Sequence, residues 1–308
     1  MNELLNEMTH YIAYYVLPIL IPMLSGFFLY YTLQKMRKNI KIAHNIAVIG
    51  FPKSGKTTLI TSIFDGIMFY NVLSLNAVVR GEDTINKVNE DMEKLKIGKR
   101  LGATTDQDVF AYRFDMTKRE FFYKKNVKVQ IGDFPGEDSE LFYNNFGPWL
   151  HKTPFFKWVM QADSFIFVID IASVLLDNHK YKAQMIKSII AAWQHIVEYH
   201  IESEKKIHRK SVNIVFTKSD LLLYHNVADY NKGAIHSLAF EENEKEVIHI
   251  RNEKELNTKK IEEDFADLKN YFSKQKIDSE FIFASHFVFD ESEKSRLGIK
   301  KIICHSLK

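Results

Sequence analysis

The stretch NIAVIGFPKSGKT, residues 45–57, decides the fold. Residues 45–49 are an apolar run of strand length, Gly50 and Gly55 frame a tight turn, and a helical pattern follows over residues 56–70. A strand that enters a glycine-framed loop and leaves it as a helix aims several backbone N–H groups and a helix N-terminus at one anion, such as a phosphate. In the spacing GxxxxGK[ST], Lys56 is expected to reach the outer phosphates of a nucleoside triphosphate, and the Thr57 hydroxyl to ligate Mg²⁺. Lys53, Ser54 and Thr58 complete the loop residues expected against the phosphates. The loop by itself does not choose between adenine and guanine.

Outward from this loop, short apolar runs alternate with helical patterns. Residues 82–97 (EDTINKVNEDMEKLKI) place Ile85, Val88, Met92 and Leu95 on one helical face. Residues 109–116 and 127–131 are extended and separated by a polar turn, as in an antiparallel hairpin. Residues 165–169 (FIFVI), 212–216 (VNIVF) and 281–283 read as buried strands, with helices over 181–201 and 261–273 between them. The expected fold class is α/β: a P-loop NTPase with three layers and a mostly parallel sheet, carrying one antiparallel hairpin strand. Residues 225–257, rich in Glu, Asn and Lys, read as a polar insertion in a domain spanning 45–308.

Two further motifs sit at strand ends. In IGDFPGE, Asp133 closes an apolar strand, where it is expected to hold Mg²⁺ through water, and Gly136 lets a backbone N–H approach the γ-phosphate. In IVFTKSD, Thr217, Lys218 and Asp220 follow an apolar strand directly. A carboxylate at Asp220 can accept two hydrogen bonds, from guanine N1–H and the exocyclic amine, whereas adenine offers no such donor pair. The Lys218 stem can lie along the base plane. Either motif alone would pass for a surface turn; the order of the three gives them meaning.

In that order the motifs resemble the Ras-like, TRAFAC-class P-loop GTPases, over most of residues 50–285. The resemblance implies GTP and GDP as ligands with Mg²⁺. It also implies a final base-contacting loop in FASH, with Ala284 and Ser285 supplying backbone contacts to the guanine carbonyl. The family's switch threonine falls at Thr104 or Thr105 in GATTDQD, with position favouring Thr105 as the residue closing over the γ-phosphate. With an N-terminal anchor added, the chain is similar to the membrane-tethered β-subunit of the signal-recognition-particle receptor and to bacterial anchored GTPases.

Departures from the family pattern predict slow turnover. Glu137 occupies the place where a glutamine often orients the attacking water, and its carboxylate repels a triphosphate. Pro52 puts a ring near the γ-phosphate that hinders an incoming arginine finger. Arg100 is a candidate finger in cis, or else the solvated end of the charged helix over 82–97. The aromatic residues Trp149, Phe155, Phe156 and Trp158 are expected to pack under a loop or to form a partner-binding surface. A nucleotide-binding scaffold that does not hydrolyse, or an ATP-using P-loop protein, is the alternative, although TKSD has no role in ATPase motors or nucleoside kinases.

The N-terminus differs in kind. Residues 11–33 (YIAYYVLPILIPMLSGFFLYYTL) hold no charged residue and exceed the ~20 apolar residues that a membrane span needs. Tyrosines mark both ends, as at membrane interfaces. A cleaved signal peptide is disfavoured: no Lys or Arg precedes the run and no small-residue cleavage site follows. Lys35, Arg37, Lys38 and Lys41 follow the run immediately, so the positive-inside rule puts residues 1–10 outside the cell membrane and the domain in the cytoplasm, joined by a basic linker over 34–44. Lys and Arg number 42 against 39 Asp and Glu in 308 residues, a balance that argues against nucleic acid as a partner. The only cysteine is Cys304, which excludes an intrachain disulfide. The expectation is a single-pass, membrane-anchored GTP-binding switch, hydrolysing GTP slowly and read by a protein effector or activator.

Overall fold

Burial on both faces makes the central strands apolar without interruption, and that pattern builds the domain. The computed structural model describes residues 10–38, 44–70, 72, 76–97, 99, 101, 110–120, 123–134, 154–176, 180–202, 210–223, 248–250 and 258–307. A π-helical turn (Ile12–Val16) leads into α1 (Leu17–Lys38), in which Ile19, Met23, Phe27, Phe28 and Leu29 are all exposed. Residues 13–32 are long and apolar enough to cross a bilayer.

The domain then runs β1 (His44–Gly50), α2 (Lys56–Met68), β2 (Asn76–Val79), α3 (Glu82–Lys96), β3 (Phe110–Glu120), β4 (Tyr123–Asp133) and α4 (Pro154–Gln161). It continues through β5 (Ser164–Asp170), α5 (Ile171–Leu176), α6 (Lys180–Glu202), β6 (Ser211–Thr217), a 3₁₀ turn (Ser219–Leu223) and β7 (Ile248–Ile250). It closes with α7 (Lys259–Asp264), α8 (Ala266–Lys274), β8 (Asp278–Phe283), β9 (Val288–Asp290), β10 (Ser295–Arg296) and α9 (Ile299–Ser306).

The main sheet has seven strands in the order β2-β3-β4-β1-β5-β6-β8. Pairs β4–β1, β1–β5, β5–β6 and β6–β8 are parallel, and β3 alone runs against its neighbours. This is the expected mostly parallel sheet with one antiparallel hairpin strand. Side chains alternate between its faces. Ala47, Ile49, Phe165, Phe167, Ile169, Ile214 and Phe216 pack with Met185, Ile189 and Trp193 of α6 and Phe272 of α8. Ile46, Val48, Ile166, Val168 and Val215 pack with Leu59, Ile63 and Phe64 of α2 and Ile302 of α9. The fully buried Trp193 meets Phe165 and Phe272 edge-on at 5.5 and 5.6 Å between ring centres.

The differences from the sequence reading are local. The hairpin strands are longer than the apolar runs that signalled them, because pairing continues through polar residues as far as Glu120↔Tyr123. The helix expected over 261–273 is two helices meeting at the buried Phe265. Ile85 sits at the exposed rim of the α3 face, while Val88, Met92 and Leu95 are buried. β2 has no signal of its own and exists through its pairing with β3. Within the segment read as a polar insertion, Ile248–Ile250 pairs in parallel with β9 in a small second sheet, ordered β10-β9-β7; most of that segment lies outside the described residues.

Candidate functional site

The carboxyl ends of β1, β4, β5, β6 and β8 meet at one edge of the sheet, where doubly wound folds bind their ligands. β1 ends in the loop that turns into α2. Gly55, the residue before α2, has φ +87°, a left-handed value that a side chain adopts only with strain. Lys53 is left-handed too, at φ 63°. Ser54 N–H donates to Phe51 O at 3.2 Å and closes the turn. Lys56 is buried, and its ammonium donates to Gly50 O at 2.9 Å and Phe51 O at 3.2 Å, which places the charge over the loop. Thr58 opens the helix, and its carbonyl accepts from Ser62 at 2.7 Å.

Beside this loop, Thr57 Oγ1 donates to Asp133 Oδ2 at 3.0 Å, joining the first turn of α2 to the end of β4. A hydroxyl and a buried carboxylate side by side next to a phosphate loop form an oxygen donor set suited to Mg²⁺, which binds proteins through few carboxylates and completes its shell with phosphate and water. Thr57 and Asp133 would hold the ion, which would supply neutralisation of phosphate charge. Among the described residues no group of three or more His, Cys, Asp and Glu forms a self-sufficient metal site. Gly132, just before Asp133, allows close packing: a Cβ there would lie 2.3 Å from Phe134 Cε2 and 2.7 Å from Trp158 Nε1. Trp158 Nε1 donates to Ile46 O at 3.1 Å. Trp158 of the aromatic stretch therefore packs under this strand end, while Phe156 is buried with its ring edge-on to Tyr199 of α6; Trp149 lies outside the described residues.

The β6 end is bonded to the phosphate loop. Thr217 Oγ1 donates to Ser54 O at 2.6 Å and Ile169 O at 3.2 Å, and Lys218 Nζ donates to Lys53 O at 3.3 Å. Lys218, itself left-handed at φ 59°, also pairs with Asp170 Oδ2 at 2.8 Å. Asp170 Oδ1 accepts from Ala172 N–H at 2.9 Å, so one carboxylate anchors the lysine and starts α5. Asp220 Oδ1 accepts from Ser285 Oγ at 2.7 Å, which joins the β6 and β8 ends. The 3₁₀ turn is stitched to the β8 end by Ser219 N–H to Ala284 O at 3.2 Å and by Ala284 N–H to Ser219 Oγ at 3.1 Å.

Both backbone donors expected in the last loop serve the fold: Ala284 N–H also bonds Phe216 O at 2.8 Å, and Ser285 N–H bonds Leu297 O at 3.3 Å. Ser285 enters the site through its hydroxyl. The next residue, His286, was not singled out by sequence. Its buried ring meets Ser62 Oγ of α2 through Nδ1 at 2.9 Å, and burial, with Arg296 adding to it, pushes its pKa down to about 3. Arg296 pairs with Asp65 of α2 at 3.1 Å, with both side chains at 8% or less exposure, and lies 5.8 Å over the Tyr70 ring. Burial raises the Asp65 pKa even against the guanidinium. The segment after β8 is thus latched to the phosphate helix by two side-chain pairs. Asp170, His286, Arg296 and Asp65 carry no motif; only the position of Asp170 at the end of FIFVID offers a signal.

The structure brings Gly50, Lys53, Ser54, Gly55, Lys56, Thr57, Thr58, Asp133, Thr217, Lys218, Asp220, Ala284 and Ser285 to one edge of the sheet. Arg100, Thr104, Thr105, Gly136 and Glu137 lie outside the described residues.

The family model described as double-GTPase 2 matches residues 44–269. Similar solved structures include the signal recognition particle receptor SRβ–GTP/SRX complex from Chaetomium thermophilum, 13% identical over 79% of this chain and 90% of that chain, TM-score 0.38. The SRβ–GDP–Mg structure from the same organism is 11% identical over 79% and 91%, TM-score 0.31. The Arl6 BBS3 small GTPase from Trypanosoma brucei, with the bound nucleotide analogue GppNp, is 16% identical over 76% and 99%, TM-score 0.29. No curated protein matches the chain. The family match, rather than these distant likenesses, carries the assignment.

Proposed function

This chain belongs to the double-GTPase 2 family, and we propose that it works as a membrane-anchored guanine-nucleotide switch that hydrolyses GTP slowly and presents its nucleotide state to a protein partner. The observation that carries the guanine reading is the carboxylate of Asp220, held by Ser285 at 2.7 Å beside the Lys218 that is bonded to the phosphate loop. A carboxylate at this position suits the paired donors of a guanine edge. Lys56 and the N-terminus of α2 take the phosphates, and Thr57 and Asp133 the Mg²⁺ that neutralises them. Thr104 or Thr105, with Gly136, would sense the γ-phosphate.

Slow turnover follows from Glu137 in place of a water-orienting glutamine and from Pro52 in the loop. The anchor follows from residues 11–33 and the basic residues after them, with residues 1–10 outside and the domain cytoplasmic. The effector or activator would read residues 104–160, where the switch motifs lie.

Purified full-length chain in lipid nanodiscs should bind GDP and GTP and ignore ATP; equal affinity for ATP and GTP rejects the guanine reading. Single-turnover hydrolysis should be slow, and a fast rate lost in Arg100→Ala would replace the slow switch with a self-sufficient GTPase. No hydrolysis even with membrane extract added would favour a scaffold.

A further inference from the structure

The carboxylate that suits Mg²⁺ stands in front of buried polar groups that the nucleotide motifs do not include. Tyr112 of β3 pairs with Ile131 of β4, so Asp133, two residues further along β4, is its diagonal neighbour on the same face of the sheet. Such neighbours lie ~7–8 Å apart, within reach of an aromatic side chain. Phe110, which pairs with Asp133 directly, meets the Tyr112 ring edge-on at 4.7 Å between ring centres, and Phe64 of α2 packs on it at 5.4 Å.

These rings hold the phenol in place, but its hydroxyl has no hydrogen-bond partner among the described residues, and Tyr112 is 0% exposed, which keeps bulk water from supplying one. Asp91, on the buried face of α3, is 2% exposed. Its Oδ1 lies 3.5 Å from Lys87 Nζ one turn earlier, and its Oδ2 also lacks a partner among the described residues. Burial raises the pKa of the phenol, and the charges of Asp133 and then Asp91 add to the effect, so two carboxylates stand within electrostatic reach of one hydroxyl. On α2, Thr57 bonds Asp133 and Phe64 touches Tyr112. Thr61 lies between them on that face of the helix, fully buried, its hydroxyl without a partner as well.

A buried hydroxyl that bonds nothing costs stability, and a phenylalanine would fill the same place between Phe110 and Phe64. The cost is offset once the phenol O–H donates to one of the acceptors beside it, since ionised carboxylates only accept. A carboxylate that ligates a metal is oriented by the hydrogen bonds it receives, and such supporting groups tune metal affinity.

We infer that Tyr112 and Asp91 are positioning residues for the Mg²⁺ site: the phenol donates to the Asp133 carboxylate, directly or through one buried water, and Asp91 orients the phenol from α3. This rests on the reading of Thr57 and Asp133 as the metal pair. Neither positioning residue touches the ion or the nucleotide. Val88 and Met92 of α3 share a core with Phe64, Tyr112 and Ile131, so a helix outside the nucleotide motifs is tied to the metal through one hydroxyl. Whatever shifts α3 then changes how firmly Mg²⁺, and with it the nucleotide, is held.

The test uses the full chain in nanodiscs, loaded with GDP. Mg²⁺ is titrated in by calorimetry, and release of a fluorescent GDP analogue is followed at each free Mg²⁺ concentration. Tyr112→Phe should raise the Mg²⁺ needed for half-saturation about tenfold, while release at saturating Mg²⁺ stays as in the unmodified chain. The nucleotide-free Tyr112→Phe chain in chelator should melt at the same temperature or higher, because it loses a buried hydroxyl that bonds nothing there. Asp91→Asn should shift the half-saturation in the same direction by a smaller factor. The double variant should go no further than Tyr112→Phe alone, since Asp91 acts through the phenol.

A raised melting temperature with an unchanged half-saturation makes the hydroxyl a packing defect and overturns the proposal. Faster release that persists at saturating Mg²⁺ overturns it too, as damage to the whole nucleotide site, and additive shifts do so by separating Asp91 from Tyr112. If Tyr112→Phe fails to fold, Asp91→Asn decides: a shifted half-saturation supports the relay and an unchanged one sinks it. GDP release that ignores Mg²⁺ in the unmodified chain removes the metal reading and this inference together, leaving guanine binding intact. Mg²⁺ dependence that both variants keep unaltered removes this inference alone.

Discussion

Both edges of the main sheet are polar, and they are polar in different ways. At the carboxyl edge the groups are charged and partly reachable: Lys218, Asp170, Asp220, Lys53 and Lys56 surround a loop of left-handed residues. At the amino edge most are buried and answer one another, the run of bonds ending on the exposed Asp278. His44 Nε2 lies 2.7 Å from Ser306 O and 3.1 Å from Ser164 Oγ, and Ser164 meets Ser211 at 2.8 Å and also Ser306 O. Asn213 donates to Ser306 Oγ at 2.7 Å and faces His305 Nδ1 at 2.7 Å, and His305 Nε2 reaches Asp278 at 3.0 Å. A binding edge needs polar capacity left for a ligand. The other edge must close its hydrogen bonds internally, because a buried polar group without a partner costs about 1–3 kcal/mol. Damage to the first should show as lost affinity, and damage to the second as lost stability.

The largest expected effect is at the binding edge. Asp220→Asn should weaken GTP by about 3–4 kcal/mol, roughly 10²–10³-fold in Kd, raise the preference for xanthine nucleotides, and leave the unfolding midpoint nearly unchanged; calorimetric titration checks it. Next comes the latch that joins the two behaviours. Arg296→Met strands the Asp65 carboxyl in a buried setting and should cost about 3 kcal/mol in urea unfolding, with weaker GDP binding as well, since the segment it holds follows Ser285 directly. At the closed edge, Asn213→Ala should cost about 2 kcal/mol of stability and leave GDP affinity alone. Equal losses of affinity in Arg296→Met and Asn213→Ala would erase the distinction between the edges.

The smallest effect is on pH. His286 is held near a pKa of about 3 by burial, so the unfolded chain, titrating at the ordinary histidine value, binds the proton first. Stability is full above ~6.5 and falls as pH drops below that value, by about 1 kcal/mol between pH 7 and 5.5 from this residue. Urea unfolding of the chain and of His286→Gln at both pH values should differ in slope by that amount.

The sequence makes the binding edge legible as far as local pattern reaches. β1, β5 and β6 are apolar throughout because both faces are covered, and Gly50, Lys56, Thr57, Asp133 and Asp220 stand at fixed offsets from strand ends. β2 and β7 are too short to carry a period, and they form only where β3 and β9 offer partners. Ser62 with His286 and Asp65 with Arg296 are separated by 224 and 231 positions, so no spacing rule can join them. The TKSD motif points to Lys218 lying along the base plane, and the bonds of Thr217 to Ser54 O and of Lys218 to Lys53 O add a second task that motif reading does not show.

The place of β1 has a consequence for how the protein breathes. It lies between β4 and β5, with apolar side chains buried on both faces, whereas β2 is an edge strand with Val78 exposed. Amide protons of Ile46 to Ile49 should therefore exchange with solvent only on global opening, and those of β2 by local fraying. The phosphate loop is thus rooted in a central strand expected to open last, and the loop after β8 hangs from a latch of two side-chain pairs. Nucleotide should leave base first, through a transient loosening of that latch, while its phosphates are still held.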